Sequence, residues 1–92
     1  MSHTTQDKTR LLARVRRIRG QVDAIERSLD AEKECAGILH QIAAVRGAVQ
    51  GLMGEVMESH IRGHIAGSDL SSQAERELGA TELIDVIRTY LK

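Results

Sequence analysis

The sequence predicts an all-α fold of three helices, and three observations carry that prediction. Proline is absent, so nothing in the chain is forced to break a long helix. There is no Phe, no Trp and one Tyr, Tyr90, so the strand-favouring aromatics are all but missing. Apolar residues recur at steps of three and four through most of the length, the period of an amphipathic helix. At 92 residues the chain is expected to be a single domain, residues 1–92. Its core must come from Leu, Ile, Val, Ala and Met. Such a core is thin for a monomer this small, and oligomerisation is the usual remedy.

The first helix is announced by Thr4 or Thr5 followed by Gln6 and Asp7, residue types that open helices. Leu11, Leu12, Val15, Ile18, Val22, Ile25 and Leu29 then mark an amphipathic helix of roughly 25 residues. The charged stretch DAEKE, residues 30–34, ends it. A long second helix begins near Cys35. Ile38, Ile42, Val45, Val49, Leu52 and Val56 alternate steps of four and three in a heptad-like seam, widened by Leu39, Met53 and Met57. GHIAGSDLSSQ, residues 63–73, reads as a loop from its Gly and Ser content. Leu78, Leu83, Ile84, Val86, Ile87 and Leu91 mark a third helix starting near residue 75 or 80. Gly47, Gly51 and Gly54 lie inside the second helix, each costing about 1 kcal/mol relative to Ala, and are read as places where another helix comes close.

Cys35 is the only cysteine, which rules out an intrachain disulfide and fits a reducing compartment. The first ten residues, MSHTTQDKTR, are too polar for a signal peptide, and no apolar run approaches the ~20 residues that span a bilayer. A cytoplasmic protein with no membrane partner is expected.

ESHIRGH, residues 58–64, sets His60 and His64 one helical turn apart on one face. That spacing suits a metal ion, but two ligands are too few. Cys35 is the natural third, since thiolate and imidazole together suit borderline transition metals. On one continuous helix Cys35 and His60 would stand about 37 Å apart, so the third ligand must come from a second chain or the helix must break. Two copies packed antiparallel about a two-fold axis near Ala48 and Val49 would bring Cys35 of each against His60 and His64 of the other. Such an axis passes between Gly47 and Gly51, and the symmetry makes two equivalent sites. His3 is a candidate fourth ligand on the N-terminal tail. His40, without companions, reads as a surface histidine.

The net charge is zero, yet residues 8–19 hold six bases and no acid: Lys8, Arg10, Arg14, Arg16, Arg17 and Arg19. Arg10, Arg14 and Arg17 share one helix face. A row of this kind can track phosphates, although charge runs are more often merely solvated. No helix-turn-helix, zinc finger or aromatic stacking platform is visible, so recognition of DNA would lean on backbone charge and shape.

RVRRIRGQVDAIERSL (14–29), CAGILHQIAAVRGAVQGLM (35–53) and ESHIRGH together resemble the CsoR/RcnR/FrmR repressors of bacteria through essentially the whole chain. The resemblance implies a three-helix protomer, an antiparallel four-helix-bundle dimer and a tetramer built as a dimer of dimers. It implies a repressor whose effector-free form binds double-stranded, GC-rich operator DNA and whose effector releases it, derepressing an efflux or detoxification gene. The MSHT start, Cys35, His60 and His64 look like the nickel- and cobalt-sensing RcnR/DmeR branch. On that likeness His3, Cys35, His60 and His64, with the N-terminal amine, ligate Ni(II) or Co(II), and Zn(II) or Cu are further ions for the site in vitro. Copper sensors of the family usually carry a second Cys where His64 stands. Formaldehyde sensors carry Pro at position 2, here Ser2, and usually Glu where His64 stands. The chain departs from RcnR at Gly63, where an acidic residue is common, and RVRRIRGQ looks more like the formaldehyde branch. The alternative is therefore a formaldehyde-responsive repressor with Cys35 as nucleophile. The likeness further implies DNA contact by Arg14, Arg17 and nearby bases, with Arg46 on the second helix as a further contact. A metal-dependent hydrolase would need a general base, for which Glu58 is the sole neighbour; no enzyme is expected. A plain helical assembly protein would bind neither metal nor DNA.

Overall fold

The computed structural model describes residues 7–66 and 72–90, without the side chain of His64. Among the described residues there are three α-helices and no strand. They are α1, Lys8–Asp30, α2, Cys35–His60, and α3, Gln73–Tyr90, with a five-residue π-helical segment, Ile61–Ile65, continuing α2. The expected helix start at Thr4 or Thr5 and the apolar Leu91 lie outside the described residues.

α1 ends in a tight C-terminal motif. The Lys33 amide donates to the Ser28 carbonyl at 3.0 Å and the Glu32 amide to the Leu29 carbonyl at 3.1 Å. Glu32, between them, takes φ of 53°, a left-handed conformation that favours glycine. Glu32→Gly is therefore expected to stabilise the fold by about 0.5–1 kcal/mol, the relief of the Cβ penalty less the entropy of a freer unfolded chain. Chemical denaturation of the two proteins checks this.

Two differences from the expected elements have local causes. The backbone does not loop at Gly63. The Ala66 amide reaches back five residues to the Ile61 carbonyl at 2.8 Å, so the helix widens into a π turn instead of stopping. α3 starts at Gln73, earlier than residue 75 or 80, because Ser72 caps it: the Glu75 amide donates to Ser72 Oγ at 3.2 Å, within the Ser-x-x-Glu pattern of a capping box.

The chain divides into two compact units. One is Thr9–Gly54, holding α1 and most of α2; the other is Met1–Lys8 with Glu55–Lys92. Along α2, the seam predicted from the sequence resolves into two rows. Ile38, Val45 and Leu52, spaced by seven, are half-buried. Ile42, Val49 and Val56, also spaced by seven, are 47, 44 and 37% exposed, and Leu39 beside them is 59% exposed. Leu11 is the one buried apolar residue among those described. In the second unit α3 packs on the π segment, and Leu78, Ile84, Ile87 and Tyr90 stay exposed. No described helix is long and apolar enough to cross a membrane.

Candidate metal centre and basic face

α2 carries the candidate ligands at its two ends. Cys35 is its first residue and is exposed; His60 is its last. Counting seven residues back from Ile42 reaches Cys35, and four on from Val56 reaches His60. By that spacing both candidates fall in line with the row Ile42, Val49 and Val56, Cys35 exposed and His60 half-buried. A helix of 26 residues holds its ends too far apart for one ion, and among the described residues no three His, Cys, Asp or Glu side chains converge.

His60 is half-buried, and its Nε2–H donates to the Gly79 carbonyl oxygen at 2.7 Å. A carbonyl only accepts, so Nε2 must carry the proton. In the neutral ring the lone pair then sits on Nδ1, the nitrogen through which a metal would be bound. An imidazole whose other N–H is held by a carbonyl is the usual arrangement of a metal-ligating histidine. His64 follows on the π segment. A thiol and two imidazoles are a donor set suited to Ni(II) or Co(II). The residues fit such an ion provided that the thiol comes from a second chain. His3 lies outside the described residues.

Beside His60, Ser59 is only 1% exposed, and its hydroxyl donates to the Asp7 carboxylate immediately before α1. Asp7, Ser59 and Gly79 were not legible as site residues, although one signal was present. Ser59 continues the inward row Ile38, Val45, Leu52 by a further seven residues, and a serine on a buried row needs a partner. Ser59→Ala removes that donor from a shielded carboxylate and is expected to cost about 1–3 kcal/mol. A lowered melting temperature checks this. Glu58, the general-base candidate read from the sequence, is exposed and paired with Arg62 on the surface. Such a pair contributes little to stability.

The basic residues of α1 are largely solvent-facing. Lys8, Arg10, Arg16, Arg17 and Arg19 are exposed, while Arg14 is half-buried with its guanidinium against Gly51 of α2. Arg46 is exposed too, but it stands between Ile42 and Val49 on the outward row of α2, apart from the basic run of α1. His40 is exposed, as expected for a surface histidine.

A family model described as metal-sensitive transcriptional repressor matches residues 7–89. The chain belongs to that family. The metal-sensitive repressor family is one of regulators and not of enzymes, and it is the family that the sequence resemblance implied. This member is 47% identical over 92 residues, all of both chains, to the transcriptional repressor RcnR of Salmonella paratyphi B. It is 53% identical, again over all of both chains, to an uncharacterised Serratia marcescens protein from the bioA 5′ region. Its fold matches a solved structure of the formaldehyde-responsive regulator FrmR of Salmonella enterica serovar Typhimurium, in a Glu-to-His variant. The TM-score is 0.84 at 46% identity, over 92% of this chain and 94% of that one.

Proposed function

We propose that this metal-sensitive repressor acts as an antiparallel dimer, paired again into a tetramer, with a nickel- or cobalt-responsive site between chains. One observation carries the reading: α2 presents the exposed apolar residues Ile42, Val49 and Val56 between an exposed Cys35 at its first residue and a half-buried His60 at its last. A second copy laid antiparallel on that row covers Ile42, Val49 and Val56. The same step brings Cys35 of one chain to His60 and His64 of the other. The ion, when bound, supplies coordination bonds that tie the two chains together. His3 and the N-terminal amine complete the ligand set.

The whole chain works as one domain in the cytoplasm. The effector-free form binds operator DNA through Lys8, Arg10, Arg14, Arg16, Arg17 and Arg19, with Arg46 as a further contact. Metal weakens that binding. The switch requires only that the ion prefer the released state by a few kcal/mol. A formaldehyde-responsive repressor is the second reading. It is favoured by the likeness to FrmR and by the exposed thiol of Cys35. His64 favours the metal reading, because it offers a nitrogen donor where the formaldehyde branch usually carries glutamate.

Fluorescence anisotropy tests the reading. A labelled GC-rich fragment from upstream of the gene itself is bound by reduced, metal-free protein. It is then challenged in turn with Ni(II), Co(II), Cu(I), Zn(II) and formaldehyde. Release by nickel or cobalt alone is the expected result. Release only by formaldehyde would move Cys35 from ligand to nucleophile, and no binding by the metal-free protein would remove the repressor reading.

A further inference from the structure

Gly51 has a neighbour that the other glycines of α2 lack. A Cβ built at Gly37, Gly47 or Gly54 would meet nothing within 4 Å in the chain. A Cβ at Gly51 would lie 3.0 Å from both Arg14 Nη1 and Nη2 and 3.2 Å from Arg14 Cζ. Near-equal distances to the two terminal nitrogens, with Cζ slightly farther, mean that the nitrogen end of the guanidinium fork faces the helix backbone at this residue. An alanine there is closer than an ordinary van der Waals contact allows. The atoms in the way are the far end of a flexible side chain, so the arginine would yield and the helix would not.

We propose that Gly51 is a positioning residue: its missing side chain makes the seat that holds the Arg14 guanidinium in place for a DNA phosphate. This rests on the DNA-binding reading above. Arg10, Arg14 and Arg17 follow one another at steps of four and three, so they form a single row on α1. Arg10 and Arg17 are exposed, whereas Arg14 in the middle is half-buried. A long side chain ordered before binding loses less entropy on meeting its partner, and the planar fork of arginine is best suited to such preorganisation. Arg14 is thereby the fixed point of the row, and α2 tolerates a glycine in its interior to keep it so.

The test is a double-mutant cycle read by anisotropy on the operator fragment with metal-free, full-length protein. Gly51→Ala is expected to weaken DNA binding about three- to tenfold, the effect of releasing one rotamer-rich side chain. Its melting temperature should not fall, because alanine is the better helix former. Arg14→Ala should weaken binding and lower the salt dependence of log affinity by about one phosphate contact. In the Arg14→Ala background, Gly51→Ala should then have no effect on affinity. Equal weakening by Gly51→Ala in both backgrounds would overturn the proposal, since the glycine would be acting through α2 or the assembly. Unchanged affinity of Gly51→Ala beside a weakened Arg14→Ala would also overturn it. Parent-like binding by Arg14→Ala overturns the proposal through Arg14 alone. Failure of the parent itself to bind would instead strike the DNA-binding reading.

Discussion

Cys35→Ala should keep operator affinity within about twofold of the parent and abolish release by nickel or cobalt. Coupling between two sites needs the ligand to distinguish two states, and removing one ligand removes that distinction. Cys35 is suited to a selective loss because it is exposed at the first residue of α2. Its substitution by alanine leaves no cavity and keeps a good helix former. Titrating metal into the preformed complex of the variant with labelled DNA measures the effect directly. A variant that still leaves DNA on adding nickel would exclude Cys35 as a ligand. His60→Ala should also lose release, but with a second consequence. It breaks the bond to the Gly79 carbonyl, so its melting temperature should fall where that of Cys35→Ala does not.

Val49→Glu should dissociate the assembly and unfold much of the chain with it. Leu11 alone is buried among the apolar residues described, while Val49 is 44% exposed in a row with Ile42 and Val56. In the proposed dimer a fold with so little interior in one chain gains its burial against a second, which links folding to association. In a two-fold interface each substitution acts twice. Burying a carboxylate without a partner there adds the cost of removing a charge from water. A fall in melting temperature of more than about 10 °C is expected, the shift that about 2 kcal/mol produces in a chain of this size. The parent's melting temperature should rise with protein concentration, and sedimentation should show the variant as monomer. His40→Gln, on the exposed side of α2 away from the row, should change neither.

The helices were legible where local rules act alone. The three-four spacing, the charged break at residues 30–34 and the position of Cys35 at the head of α2 follow from periodicity and composition. Two features were misread, because each depends on what lies opposite in space. The seam on α2 was taken as one face. A helix that packs inward and also presents an apolar row outward carries two rows, and sequence spacing does not tell them apart. The stretch from residue 63 was read as loop because Gly and Ser dominate it. Yet the backbone bond from Ala66 to Ile61 extends the helix through Gly63, and Ser72 serves as a cap. Of the candidate site, the proposed ligands were read as residue types and spacings. Their partners were not, because a backbone carbonyl such as that of Gly79 leaves no mark in composition.

Subunit mixing tests most directly the claim that each site is shared between chains. Cys35→Ala and His60→Ala proteins, each unable to form a complete site, are unfolded together, refolded and loaded with Co(II). If each site takes its thiol from one chain and its imidazoles from the other, every mixed dimer regains one complete parental site. The thiolate-to-cobalt charge-transfer band, absent from either variant alone, then appears on mixing. If mixing restores no band although mixed dimers are present, the thiol and the histidines do not meet across the dimer, and the inter-chain site is wrong.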